Sequence, residues 1–155
     1  MTHQSLKCHK AAILLGGHSS RMGGQPKFLL KDGKGQSYLK KQIKALEKAD
    51  RIYLSAADEA QLALIQNVCK DKACYGLIDV VKDCGPLGGL YTVLQQLKDE
   101  DEWIFVTACD APELTESMAG SLIQMSADAY EKGYDCMVYQ DSRGRIHPLC
   151  GLYRP

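Results

Sequence analysis

The residues best suited to chemistry sit in three short segments. The first, Gly16-Gly-His-Ser-Ser-Arg-Met-Gly-Gly-Gln-Pro-Lys27, packs four glycines, Arg21 and Lys27 into a polar loop between apolar anchors. Glycine lets the backbone come close to a ligand and aim several N–H groups at one anion. Arg21 adds a planar fork matched to phosphate oxygens, and Lys27 a mobile point charge. A triphosphate is the natural occupant of such a loop. It is not a Walker loop: Gly17 and Gly23 are six apart, and no Gly-Lys-Ser/Thr follows. Nor does it contain GxGxxG, so dinucleotide binding loses its main support. A surface loop whose glycines serve only turns is the plainer alternative.

The second and third segments are Cys84-Gly-Pro86, preceded by Asp83, and Cys109-Asp-Ala-Pro112. Asp110 can hold Mg2+ against triphosphate oxygens, because magnesium takes one or two carboxylates and keeps the rest of its shell for phosphate and water. Pro112 would fix the turn that presents it. The alternative is a cap or turn residue before a helix at Thr115. Asp83 is open to a simpler role as a solvated turn carboxylate. Cys109 with His147 could suggest a thiol nucleophile, but the sequence supplies no third orienting partner, which sets a hydrolase aside. Lys40, Lys41, Lys44 and Lys48 form a basic helix face that a solvated surface explains.

These loops need a scaffold, and the apolar pattern describes one. Ala11–Leu15 is continuous and apolar, as in a strand buried on both faces. Ser37 can cap a helix with Leu39, Ile43 and Leu46 on one side. Arg51–Ala56 reads as a second strand, Asp58–Cys69 as a helix, and Leu77–Val81 as a third strand. Pro86 opens a helix with Leu87, Leu90, Leu94 and Leu97 on one stripe. Trp103–Thr107 is a fourth buried strand, and Thr115–Lys132 one long helix closed by Gly133. Asp135–Gln140 and Leu149–Tyr153 flank a turn-like Asp141-Ser-Arg-Gly144 as a hairpin or bent ribbon. Strand–helix alternation predicts a three-layer α/β/α fold with a mostly parallel sheet. Ligands sit beyond the carboxyl ends of the strands in such sheets, where all three segments fall.

Composition bounds the rest. The 155 residues carry 19 Lys+Arg against 19 Asp+Glu, so zero net charge gives no broad pull on nucleic acid or anionic lipid. The length suits one domain, residues 1–155, with no repeat or linker. No apolar stretch is long enough for a bilayer crossing, and the N-terminus lacks the apolar core of a secretory signal. Seven cysteines, an odd number with no CxxC pair, predict reduced thiols in the cytosol, several of them acting as small core hydrophobes.

The pattern Leu14-x-Gly-Gly-x-x-x-Arg-Met-Gly-x-x-x-Lys-x-Leu-Leu resembles the signature of nucleotidyltransferases that join a nucleoside monophosphate to a phosphorylated acceptor. The molybdenum cofactor guanylyltransferases match best. Gly85-Pro-Leu-Gly-Gly-Leu90 is similar to their GPLAG segment, Cys109-Asp-Ala-Pro112 to CDxP, and Arg145-Ile-His-Pro-Leu-Cys-Gly-Leu-Tyr153 to RxHPLxGLY. The departures are Leu15 for Ala, Pro26 for an acid, Gly88 for the Ala of GPLAG, and an end at Pro155 that looks short for the family.

The resemblance implies a Rossmann-like nucleotidyltransferase fold and transfer of GMP from GTP to the phosphate of molybdopterin or Mo-molybdopterin. It implies nucleotide contacts from Leu14, Gly16, Gly17, Arg21, Lys27, Asp83, Gly85 and Asp110. Arg21, Lys27 and Asp110 would be catalytic, with Mg2+ on Asp110. A carboxylate at Asp83 accepting from N1–H and the exocyclic amine would favour guanine. Cofactor-handling proteins and a cytoplasmic location are implied in the same way. The alternatives are a relative using CTP or a sugar-phosphate acceptor, and an inactive nucleotide-binding module.

Overall fold

The computed structural model describes residues 10–16, 25–69, 74–100, 102–111 and 114–155. Their strands are β1 (Lys10–Leu14), β2 (Arg51–Ala56), β3 (Cys74–Ile78), β4 (Ile104–Ala108), β5 (Cys136–Gln140) and β6 (Ile146–Tyr153). The helices are α1 (Tyr38–Ala45), α2 (Glu59–Gln66), α3 (Pro86–Gln96), α4 (Glu116–Gln124) and α5 (Ser126–Glu131). The sheet order is β3-β2-β1-β4-β6-β5. The first four strands are parallel, and β6 runs antiparallel between β4 and β5. This is the expected Rossmann-like α/β arrangement.

The two central strands, β1 and β4, are buried along their whole length, which is why they read as unbroken apolar runs. Alternation then splits the core in two. Ala11, Ile13 and Phe105 face Leu39, Ile65, Ala119 and Ala129 of α1, α2, α4 and α5. Ala12, Leu14, Ile104 and Val106 face Val93 and Leu97 beside α3. The caps follow the sequence: Ser37 accepts from Lys40 N, Asp58 from Gln61 N and Thr115 from Met118 N.

Three expectations are corrected. The third strand is Cys74–Ile78, not Leu77–Val81, because Val80 and Val81 are exposed and Val80 N–H donates to Thr92 Oγ1 instead of the ladder. Helix α3 follows the predicted leucine stripe only in part: Leu97 is buried, and Leu90 and Leu94 pack half-buried against the core. The helix also buries Gly88, Gly89, Thr92 and Val93, while Leu87 is 67% exposed. The cause is close approach: a Cβ on Gly88 would lie 2.7 Å from Val81 O, and one on Gly89 would overlap Ser55 Oγ. The single helix predicted over Thr115–Lys132 is interrupted at Met125 and divides into α4 and α5, where Ser126 Oγ donates to Ile123 O at 2.7 Å.

The hairpin expectation holds, with a bulge between Val138 and Tyr139. No helix among the described residues is long and apolar enough to cross a membrane.

Candidate functional site

The end of β1 is tied to strands on both sides through one peptide group. Leu14 C=O accepts from Cys109 N–H at 3.1 Å, and Leu15 N–H donates to Ser55 C=O at 2.9 Å. One of these neighbours leads to Asp110 and the other to Asp79.

On the β4 side, the chain leaves the strand through a turn closed by Ala111 N–H on Ala108 C=O at 3.0 Å. Asp110 sits in this turn with its carboxylate exposed, and Lys27 Nζ lies 3.1 Å from its Oδ2. Lys27 opens a short 3-10 turn, Lys27–Leu29, that the buried ring of Phe28 anchors in the core. A cleft of about 480 Å³ lies beside them, lined by Lys31, Tyr38, Lys41, Gln42, Cys109 and Asp110. Burial, and then the neighbouring Asp110 charge, push the Cys109 thiol up to about 12. It stays protonated at neutral pH, which removes the nucleophile that a Cys–His reading would need.

On the β2 side stands a carboxylate that the sequence pattern hid. Asp79 follows β3, its N–H donating to Ala56 C=O at 2.8 Å, and it is 5% exposed. Ser55 Oγ donates to its Oδ1. Oδ2 faces Gly16, where a Cβ would lie 2.5 Å from it, so only glycine fits that position without displacement. Burial raises the Asp79 carboxyl above its usual range, and the Ser55 hydroxyl opposes the shift. A second cleft, of about 460 Å³, is lined by Ala57, Asp58, Asp79, Lys82, Asp83 and Gly85.

Of the predicted residues, the structure brings Lys27 and Asp110 together and sets Gly16 against Asp79 and within reach of Gly85. Gly85 has φ +54 and caps α3 without a side chain. Asp83 is exposed at the rim of the second cleft in a left-handed conformation, φ +58. Leu14 packs its side chain under α3, so only its backbone is turned to the edge. Gly17, Arg21 and Pro112 lie outside the described residues. Arg145 and His147 belong to the β5–β6 ribbon, both on Asp141 Oδ2, at 2.7 and 3.3 Å. Asp79 was missed because Leu77–Val81 read as one strand. With the strand ending at Ile78, Asp79 is an acid just past a strand, the same signal as Asp110.

Among the described residues no three or more His, Cys, Asp or Glu side chains gather as a metal cage. A single exposed carboxylate such as Asp110 fits magnesium held with phosphate oxygens and water, and does not fit an all-protein metal site.

Solved structures share this architecture. Rv0371c from Mycobacterium tuberculosis H37Rv matches with a TM-score of 0.68 at 18% identity, over 94% of this chain and 70% of that one. The homologue of rv0371c from Mycobacterium sp. strain JC1 gives 0.69 at 21%, over 96% and 71%. The 4-diphosphocytidyl-2C-methyl-D-erythritol synthase from Anaerococcus prevotii DSM 20548 gives 0.58 at 14%, over 94% and 62%. At these identities the likeness is one of fold. The sequence itself matches the MobA-like NTP transferase domain over residues 11–155. The chain belongs to that family and is a nucleotidyltransferase.

Proposed function

We propose that this nucleotidyltransferase moves GMP from GTP to the phosphate of molybdopterin or Mo-molybdopterin. The observation carrying this reading is the placement of two carboxylates either side of the end of β1, Asp79 against Gly16 and Asp110 against Lys27.

In the reaction, an acceptor phosphate oxygen attacks the α-phosphorus in line as its bond to the bridging oxygen of pyrophosphate breaks. Two anions must meet, so neutralising charge and fixing geometry are the main tasks. Backbone N–H groups at Gly16 and Gly17 hold the triphosphate, with Arg21 and Lys27 neutralising it. Asp110 holds Mg2+, which when bound spreads the charge of the phosphate oxygens. No covalent enzyme intermediate is needed, in keeping with a Cys109 thiol held protonated. Asp79, rather than the more exposed Asp83, is the carboxylate we assign to the N1–H and exocyclic amine of guanine. Asp83 and Gly85 form the rim of the same cleft. Handling proteins that deliver the acceptor, and action in the cytoplasm, belong to this reading.

A second reading uses CTP. It is supported by the fold shared with a synthase named for a diphosphocytidyl product. Thermal shifts with GTP, CTP, ATP and UTP, each with Mg2+, separate the two. The largest shift is expected with GTP, and a larger one with CTP moves the assignment to the second reading. Pyrophosphate release on adding molybdopterin then separates an enzyme from an inert binder.

A further inference from the structure

The buried stripe of α1 contains one residue that does not suit it. Leu39 and Leu46 are buried with Ile43 on their flank, and Gln42 lies between them at 4% exposure. An amphipathic helix calls for an apolar side chain at that position. Gln42 Nε2 donates to Ala108 C=O at 2.7 Å, while its Oε1 has no partner among the described residues. The carbonyl has no need of this donor, since it also accepts from Ala111 N–H at 3.0 Å and Thr107 Oγ1 at 3.3 Å. For stability alone, leucine or methionine would fill the volume without burying an unpaired oxygen.

What the amide does grip is the residue that opens the Asp110 turn. Cys109 N–H anchors the turn to β1, and Gln42 anchors it to α1, the helix that follows Lys27 in the chain. We propose that Gln42 is a positioning residue: through the Ala108 carbonyl it sets the direction in which Asp110 presents its carboxylate to the metal–triphosphate. This rests on the reading of Asp110 as the metal carboxylate.

The test compares wild type, Gln42→Met, Gln42→Leu, Asp110→Ala and Gln42→Met/Asp110→Ala in the full chain. The probe is whichever of GTP, CTP, ATP and UTP stabilises the wild type most, titrated with Mg2+ and separately in EDTA. For Gln42→Met the ligand-free melting temperature stays level or rises, and triphosphate affinity in EDTA is unchanged. The half-saturating Mg2+ concentration rises about tenfold, as when a group orienting a metal ligand is lost. The double variant matches Asp110→Ala alone.

A fall of several degrees in both Gln42 variants, with affinity in EDTA falling too, assigns Gln42 to the core and overturns the proposal. An unchanged Mg2+ requirement in Gln42→Met, with Asp110→Ala defective, overturns the proposal alone. A wild-type Mg2+ requirement in Asp110→Ala, or no stabilisation of wild type by any of the four, overturns the reading of the site and the proposal with it.

Discussion

Lys27 Nζ and Asp110 Oδ2 lie 3.1 Å apart, joining the loop after the first strand to the loop after the fourth. Both side chains are about half exposed, at 49% and 56%. An ion pair in that setting contributes little to folding, since solvent screens it and two mobile side chains must be ordered. Its value lies in holding a cation and a carboxylate at one point of the ligand edge.

Lys27→Ala should therefore leave the melting temperature nearly unchanged while weakening triphosphate binding by about tenfold or more, on the scale of a lost charge-assisted hydrogen bond. Calorimetric titration with GTP measures it. An affinity equal to wild type would remove Lys27 from the phosphate site.

Asp110→Ala should fold normally and lose transfer. Pyrophosphate release at saturating GTP and Mg2+ reads the effect, and a full-rate variant would exclude the carboxylate from the reaction.

Asp79→Asn should stabilise the protein at neutral pH and blur the choice of base. Burial raises this carboxyl above the ordinary 3.8, so the folded chain holds the proton more readily than the unfolded one. The ionised group then costs stability above the raised value, and the cost is relieved as pH falls towards the ordinary one. The gain from the substitution should shrink along the same path. Melting curves from neutral to acidic pH, with GTP and CTP titrations beside them, check both halves.

Gly16→Ala should destabilise by about 1–3 kcal/mol, the usual cost of forcing a methyl into filled space. The added carbon would meet Asp79 Oδ2 at 2.5 Å. Denaturant unfolding of Gly16→Ala/Asp79→Ala should recover part of the loss, and strict additivity would show that the two residues do not touch in solution.

Asp141→Asn should loosen the β5–β6 ribbon at neutral pH. The Arg145 N–H, the Arg145 guanidinium, His147 and the Arg143 N–H together hold the Asp141 carboxyl well below its usual range. That stabilisation is present above the ordinary carboxylate value and disappears only as pH falls through the lowered one. Hydrogen exchange at the Arg145 amide should be faster in the variant at neutral pH, with the difference closing in strong acid.

Much of this architecture was legible in the sequence because it depends on local pattern. Ala11–Leu15 and Trp103–Thr107 read correctly as buried strands, each within one residue, since a strand covered on both faces has no polar alternation to blur. Lys27 and Gly16 stood out by their company in a glycine-rich loop, and Asp110 by its place after a strand. What escaped depends on tertiary contact. The leucine stripe of α3 reaches the core at Leu97 and in part at Leu90 and Leu94, yet Leu87 stays exposed, and glycines stand at 88 and 89 because Val81 O and the Ser55 side chain leave no room for anything larger. Asp79 was concealed by Val80 and Val81, apolar residues that extend the look of a strand beyond its last ladder bond. Gln42 carries no local signal, because only the approach of Ala108 gives its amide a partner.

The Leu14–Leu15 peptide, whose oxygen reaches Cys109 and whose N–H reaches Ser55, has a mechanical consequence. A trans peptide is planar and points its two polar atoms in opposite directions, so it behaves as a rigid crossbar. The acid anchored through Ser55 and the acid that follows Cys109 hang from opposite ends of that bar and cannot drift independently. Because the crossbar is main chain, ordinary side-chain replacements leave it standing, and proline at position 15 is the change that would cut one end.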